Sequence, residues 1–170
     1  MRVRLNTVRR RKFLIGATLV VLVIGGTGIF LLMHSTASTT IPPQVVQEAP
    51  FAIYIPSRLP SDYRIASSSF KYVPTQGVLV FSATDQIGDS IAFTEQAKPK
   101  KINFANIYST LFKNSSELPD MPYPSTVGST IDQQTTLLSI VTPTTWLLAT
   151  TQANINDHDM QTIAQSVKQY

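Results

Sequence analysis

The side chains of this sequence that could carry acid–base chemistry are mainly carboxylates. His158 lies between Asp157 and Asp159, and the one other histidine is His34. Consecutive residues at a helix start point in different directions, so the Asp-His-Asp triplet favours helix capping over a metal or acid–base site. The chain contains no cysteine, which excludes thiol catalysis and thiolate metal sites.

Five carboxylates are candidates for hydrolytic chemistry: Asp85, Asp89, Glu95, Glu117 and Asp120. A carboxylate pair cleaves glycosidic bonds only at a suitable separation, which the sequence does not define. The sequence has no G-x-S-x-G or S-x-x-K motif and no glycine-rich phosphate loop. It therefore predicts no catalytic residue, no metal ligand and no cofactor, and a carboxylate-dependent hydrolase remains an alternative.

Three aromatic residues are possible binding residues: Tyr54, Tyr63 and Trp146. Large aromatic side chains often anchor a partner. Strand-like sequence surrounds Tyr54 and Trp146, and this favours positions in the protein core for both of them.

Short β-prone runs separated by turn residues predict an antiparallel sheet of about six strands. The predicted strands are Arg64–Val73, Val78–Phe81, Ser90–Gln96, Ser125–Ile131, Leu137–Thr142 and Thr145–Thr151, after a short β-prone run at Phe51–Pro56. The short connections favour neighbouring strands that run antiparallel.

Two helices are predicted to pack on this sheet. Asn103 precedes a helical pattern of apolar residues that runs from Phe104 to Phe112. The second helix is at the C-terminus, where Asn156 or Asp157 is the expected N-cap and Lys168 falls in the last turn. Its apolar face comprises Met160, Ile163, Ala164 and Val167. The predicted class is therefore α+β, with a C-terminal helix and one further helix on an antiparallel sheet.

An apolar run without charge, residues 13–33, precedes this domain. Twenty-one residues at about 1.5 Å per residue reach roughly 31 Å, enough to cross a hydrocarbon core of about 30 Å. The run predicts a single transmembrane helix, whose large apolar residues are Phe13, Leu14, Ile15, Leu19, Val20, Val21, Leu22, Val23, Ile24, Ile29, Phe30, Leu31 and Leu32. A cleaved signal peptide is the alternative, but its apolar segment is usually about 7–15 residues long.

The charges around this run predict its orientation. Arg9, Arg10, Arg11 and Lys12 directly precede it, which favours a cytoplasmic tail at residues 1–12. A linker at residues 34–50 and an extracytoplasmic domain at residues 51–170 would follow outside. Because the basic residues are concentrated in the tail, we expect membrane lipid as a partner and no nucleic acid.

The segment Tyr54–Tyr63, YIPSRLPSDY, resembles the start of small bacterial extracytoplasmic domains of unknown function. Some of these domains belong to membrane proteins that resemble anti-sigma factors or envelope-stress regulators. The segment Trp146–Ala149 and the terminal helix are also similar. The resemblance implies an antiparallel sheet with a packed helix, and it implies no catalytic residues.

The sequence thus predicts a bacterial single-pass membrane protein with a signal anchor and a non-enzymatic exterior domain. This domain would sense or bind an envelope protein or a lipid ligand. The alternatives are the carboxylate-dependent envelope hydrolase and a carrier for lipid or lipoprotein.

Overall fold

A computed structural model describes residues 40–153 and 155–170. The predicted anchor at residues 13–33 and the tail at residues 1–12 lie outside these described residues. In the part of the chain that is described, none of the helices has the length and apolar character needed to span a membrane.

The described residues form ten strands in two antiparallel sheets. The larger sheet has eight strands in the order β2-β4-β5-β9-β8-β7-β6, and β3 also pairs with β4, beside β2. Its strands are β2 (Arg64–Ile65), β3 (Lys71–Val73), β4 (Val78–Thr84), β5 (Ser90–Ala97), β6 (Phe112–Glu117), β7 (Ser125–Thr130), β8 (Thr136–Val141) and β9 (Thr145–Thr151). The smaller sheet is a two-stranded ribbon of β1 (Tyr54–Pro56) and β10 (Val167–Gln169).

One face of the larger sheet carries the main core. Alternate residues of the central strands point to this face, because side chains alternate along a strand. Phe81 of β4 stacks between Phe70 and Phe93, with ring centroids 4.8 and 4.7 Å apart. Leu138 and Leu147 continue this buried apolar surface across β8 and β9.

The C-terminal helix α3 (Asp157–Ser166) and the β1–β10 ribbon pack over this core. Met160, Ile163 and Ala164 form the fully buried stripe of α3, as their helical spacing predicts. The side chain of Asn156 accepts a hydrogen bond from the backbone N–H of Asp159, 2.9 Å away. Asn156 is therefore the N-cap, one of the two predicted residues.

The opposite face of the sheet is covered in part by α2 (Phe104–Leu111). The ring of Phe104 meets Trp146 edge-on at 5.3 Å. The hydroxyl of Ser139 accepts a hydrogen bond from Trp146 Nε1 at 2.8 Å and lies 3.0 Å from the hydroxyl of Tyr108. Asn103 caps this helix as predicted, since its side chain accepts from Ala105 N–H at 3.0 Å.

The predicted α+β class with an antiparallel sheet is confirmed, whereas several elements differ from the prediction. The predicted strand Arg64–Val73 is divided into β2 and β3 by a 3-10 turn at Ser67–Ser69. This turn is stabilised by the hydroxyl of Ser69, which donates to Ala66 O at 2.7 Å. The division, β6, and the β1–β10 ribbon raise the number of strands from about six to ten.

Two further differences occur near the ends of the described chain. Part of the predicted linker at residues 34–50 forms the helix α1 (Pro43–Glu48), in which Val45 is buried. At the other end, α3 stops at Ser166, so the predicted position of Lys168 in its last turn is wrong. Lys168 instead lies in β10, opposite Ile55.

Candidate functional site

A cleft of about 490 Å³ lies between the β1–β10 ribbon and β2. The residues that line it are Ile55, Pro56, Ser57, Leu59, Tyr63, Arg64, Ile65, Lys168, Gln169 and Tyr170. Among the described residues, β10 and β2 are edge strands of their sheets, so the cleft lies between two strand edges.

Backbone hydrogen bonds extend the ribbon wall of the cleft beyond the two short strands. Tyr170 N–H donates to Ile53 O at 2.9 Å, and Ser57 N–H donates to Ser166 O at 3.0 Å. The hydroxyl of Ser57 also donates to Ser166 O at 3.0 Å. These bonds on both sides of the Ile55–Lys168 pair fix the position at which Lys168 leaves the ribbon.

The second wall is shaped by the turn that leads into β2. Asp62 has a φ of 73°, a left-handed conformation that aspartate tolerates better than most residues. Tyr63 N–H closes this turn on Pro60 O at 3.2 Å. The guanidinium Nη1 of Arg64 donates to Tyr63 O at 2.7 Å, which holds the side chain against its own wall.

The cleft combines an apolar floor with a cationic rim. Ile55, Tyr63 and Ile65 are buried, whereas Arg64 and Lys168 are exposed. Tyr170 is 56% exposed at the same rim and offers a flat apolar surface. Arginine and lysine bind carboxylate and phosphate oxygens through charge-assisted hydrogen bonds, so this arrangement suits an anionic group attached to an apolar body.

The hydroxyl of Tyr63 is kept protonated. Burial raises the pKa of Tyr63 above its ordinary value of 10, and the charges of Asp85, Asp89 and Asp159 raise it further. Asp85, Asp89 and Asp159 are near enough to the phenol to act on it, although none of the three lines the cleft. Tyr63 therefore contributes a neutral phenol to the cleft lining.

Glu95 is a second unusual group, buried under the ribbon. Its side chain is on the core face of β5, fully buried, and Tyr54 N–H donates to both of its carboxyl oxygens at 3.1 and 3.2 Å. This N–H points away from β10, since Ile53 and Ile55 face the partner strand. Burial raises the pKa of Glu95 to about 8, although the hydrogen bond from Tyr54 opposes the increase.

The structure separates the five candidate carboxylates. Asp85 and Asp89 lie in the β4–β5 turn, where Asp85 Oδ1 accepts from the N–H groups of residues 87–89. Glu117 lies in β6, where it pairs with Thr126 of β7, and β6 is four strand spacings or about 19 Å from β5. Asp120 is exposed in the following loop. Within the described residues no three His, Cys, Asp or Glu side chains are grouped so that they could hold a metal ion.

The three aromatic residues predicted for binding occupy different places. Tyr63 lines the cleft, Tyr54 is 3% exposed in the ribbon, and Trp146 is 1% exposed beneath α2. Arg64 and Lys168 were not predicted from the sequence, because a single cation in a strand-like segment has no distinctive pattern. Their proximity depends on β10, which lacks the alternating apolar pattern of a strand.

Comparison of this chain with family models, curated proteins and solved structures gave no match.

Proposed function

We propose that this chain is a single-pass membrane protein whose α+β domain binds a small anionic amphiphile of the cell envelope. Residues 13–33 anchor it, the basic tail stays in the cytoplasm, and the domain operates outside. The support for this location is the uncharged 21-residue run and the basic residues that precede it. The resemblance of Tyr54–Tyr63 to envelope domains favours the same location.

The observation that carries the binding function is the cationic rim above the apolar floor of the cleft. Arg64 and Lys168 pair with the anionic group, Tyr63 donates a hydrogen bond, and Ile55 and Ile65 contact the apolar body. The lining residues are apolar, hydroxyl-bearing, amide and cationic, which suits them to hold an anionic amphiphile.

The binding function can be tested with a photo-reactive benzophenone side chain at Tyr170 of the full chain in its native membrane. Position Ile131 is a matched control, because it is 60% exposed and outside the cleft lining. We expect a small-molecule adduct of defined mass at position 170 and none at position 131. Excess hexyl phosphate should compete with this adduct, and hexylammonium should not.

The double variant Arg64→Ala/Lys168→Ala should lose the adduct but retain the tryptophan fluorescence of the folded protein. Identical adducts at positions 170 and 131, or equal competition by both hexyl compounds, would contradict a specific anion-binding cleft.

A further inference from the structure

The strand β6 forms a free edge of the larger sheet. It is the last strand in the sheet order, so within the described residues only β7 pairs with it. Five of its six residues, 113–117, are exposed. At the other edge, β2 and β3 have only two and three residues, and α1 packs against β3. The strand β6 is therefore the longest edge that the larger sheet offers in the described part of the chain.

The backbone of β6 has hydrogen-bonding groups on the side away from β7. Leu118 N–H donates to Ser125 O at 2.9 Å, which continues the ladder to β7 beyond the end of β6. Because alternate residues of an antiparallel strand bond to the same neighbour, Ser116 also faces β7. The N–H and C=O groups of Ser115 and Glu117 then point outward, where another strand can pair with them.

A bulge limits the regular part of this edge. The register with β7 shifts between Phe112 and Asn114, so Lys113 is the extra residue and residues 114–117 pair regularly. Bulges, prolines and inward-pointing charges are the devices that block a strand edge. The strand β6 has its bulge at one end and contains no proline. Four residues therefore remain available to a second strand.

The charges of β6 are placed at opposite ends of this regular part. Lys113 precedes it, Glu117 ends it, and the three residues between them are uncharged. Both charged side chains are exposed. If a second β6 pairs antiparallel about Ser115, Lys113 of each copy lies opposite Glu117 of the other, and such pairs stabilise a sheet. A parallel pairing in register would place like charges opposite each other, which is destabilising.

Neighbouring charges are farther from the second strand or add to the attraction. Asp120 is exposed three residues after β6, so it increases the negative charge that meets the other copy's Lys113. Asp132 accepts a hydrogen bond from Thr130 of β7, which would be two strand spacings, or about 10 Å, from the second β6. The lysines after β5 begin at Lys98, whose backbone bonds to the β8–β9 turn, at least three spacings or about 14 Å away.

We propose that two copies of this chain associate through their β6 strands, which pair antiparallel about a two-fold axis at Ser115. The N–H and C=O groups of Ser115 bond to those of the second copy, and Lys113 and Glu117 form an ion pair at each end. One strand pair buries less than the roughly 1,200 Å² of a stable interface, so the association is reversible.

This pairing joins the two larger sheets and leaves the cleft of each copy open. The cleft adjoins β2, which is six strand spacings, or about 29 Å, from β6 along the sheet. The dimer therefore presents two separate clefts, one at each outer edge of the joined sheet. The pairing requires neither a ligand in the cleft nor the membrane anchor, so it goes beyond the proposed function and can be tested apart from it.

Cysteine cross-linking can locate the axis, because the chain has no cysteine of its own. The Cα atoms of two opposite, hydrogen-bonded residues are about 5.5 Å apart, a distance that a disulfide spans. We expect Ser115→Cys, in a mild-detergent extract of cells that produce the full chain, to form a disulfide-linked dimer on oxidation. Ile87→Cys is the control, since Ile87 is 86% exposed in the β4–β5 turn, about four strand spacings from β6. Its cross-linking should remain at the level of random collisions.

The ion pairs can be tested by charge exchange in the purified, cysteine-free chain in detergent. Lys113→Glu or Glu117→Lys replaces two attractions of the dimer with two repulsions, so each should raise its dissociation constant about tenfold. The double variant Lys113→Glu/Glu117→Lys restores both pairs and should return the constant to within about twofold of the wild type. Sedimentation over a range of concentrations measures these constants, and the tryptophan fluorescence shows that each variant is folded.

Several results would overturn the pairing. Ser115→Cys could cross-link no better than Ile87→Cys, or it could cross-link to a different protein, which the mass of the product reveals. A dissociation constant that does not respond to the single charge reversals, or that the double variant fails to restore, would also contradict it. Loss of the photo-adduct at position 170 would bear on the proposed function alone.

Discussion

Glu95 couples the protonation of a single carboxyl to the stability of the domain. Its pKa rises from 4.5 to about 8 on folding, so between these values the folded state holds a proton that the unfolded state releases. The free energy of unfolding therefore decreases as the pH rises from about 4.5 to 8, with a slope approaching about 1.4 kcal/mol per pH unit. Above this range the contribution is constant.

Glu95→Gln should abolish this pH dependence, because glutamine keeps an acceptor for Tyr54 N–H and does not ionise. As the pH rises from 5.5 to 8.5, we expect the free energy of unfolding of the variant to increase by several kcal/mol relative to that of the wild-type chain. Urea unfolding of the full chain in detergent, followed by the fluorescence of its single tryptophan, measures this difference.

A second carboxyl supplies an internal control for the pH experiment. Hydrogen bonds from Thr130 and the backbone of Gln134 lower the pKa of Asp132, so its stabilisation is lost as the pH falls below its ordinary value of 3.8. This window lies below that of Glu95. Equal pH slopes for the wild type and Glu95→Gln between pH 5.5 and 8.5 would show that Glu95 is ionised in the folded state.

At the scale of elements, the sequence predicts those that have a strong apolar period. The stripe of α3 and the alternation in β4 and in the first half of β5 follow directly from burial against the core, whereas β9 is a short run of consecutive buried residues. The strand β6 was missed because five of its six residues are exposed and polar. Tertiary pairing with β7 makes it a strand, and local propensity does not.

The pairing of β6 with β7 depends on Gly128. A Cβ atom at this position would overlap the backbone oxygen of Asn114 in the neighbouring strand, close to the bulge between Phe112 and Asn114. We expect Gly128→Ala to lower the free energy of unfolding by about 1–3 kcal/mol, because backbone atoms cannot yield as a flexible side chain does. Thermal and urea unfolding of the full chain provide the measurement.

Gly77→Asn is the matched control for the glycine substitution. Gly77 has a φ of 67°, which asparagine tolerates, and a Cβ atom there would meet nothing within 4 Å. Its cost should be at most about 1 kcal/mol. If Gly128→Ala proved no more harmful than Gly77→Asn, the close approach of the two strands would not constrain residue 128.

At the scale of the whole molecule, the sequence shows where the basic residues are concentrated but not how the charges of the domain are arranged in space. The basic tail precedes residues 13–33, whereas the register of the strands places Lys98 and Glu117 towards one end of the larger sheet and Arg64 and Asp85 towards the other. The cleft was harder to predict, because Lys168, Gln169 and Tyr170 are about 100 residues from the other lining residues in the chain. Such a long-range contact leaves no periodic signal in a single sequence.

The proposed orientation predicts which cysteines a membrane-impermeant maleimide can reach in intact cells. Ile87→Cys should be labelled from outside, because this position is highly exposed in the exterior domain. Thr7→Cys, within the basic tail, should be labelled only after the membrane is permeabilised.

Replacing Arg9–Lys12 with glutamines should produce a fraction of inverted molecules, because the positive charges that retain this end in the cytoplasm would be reduced to Arg2 and Arg4. Labelling of Thr7→Cys in intact cells would overturn the orientation. Release of the domain without residues 13–33 would instead identify that run as a cleaved signal peptide.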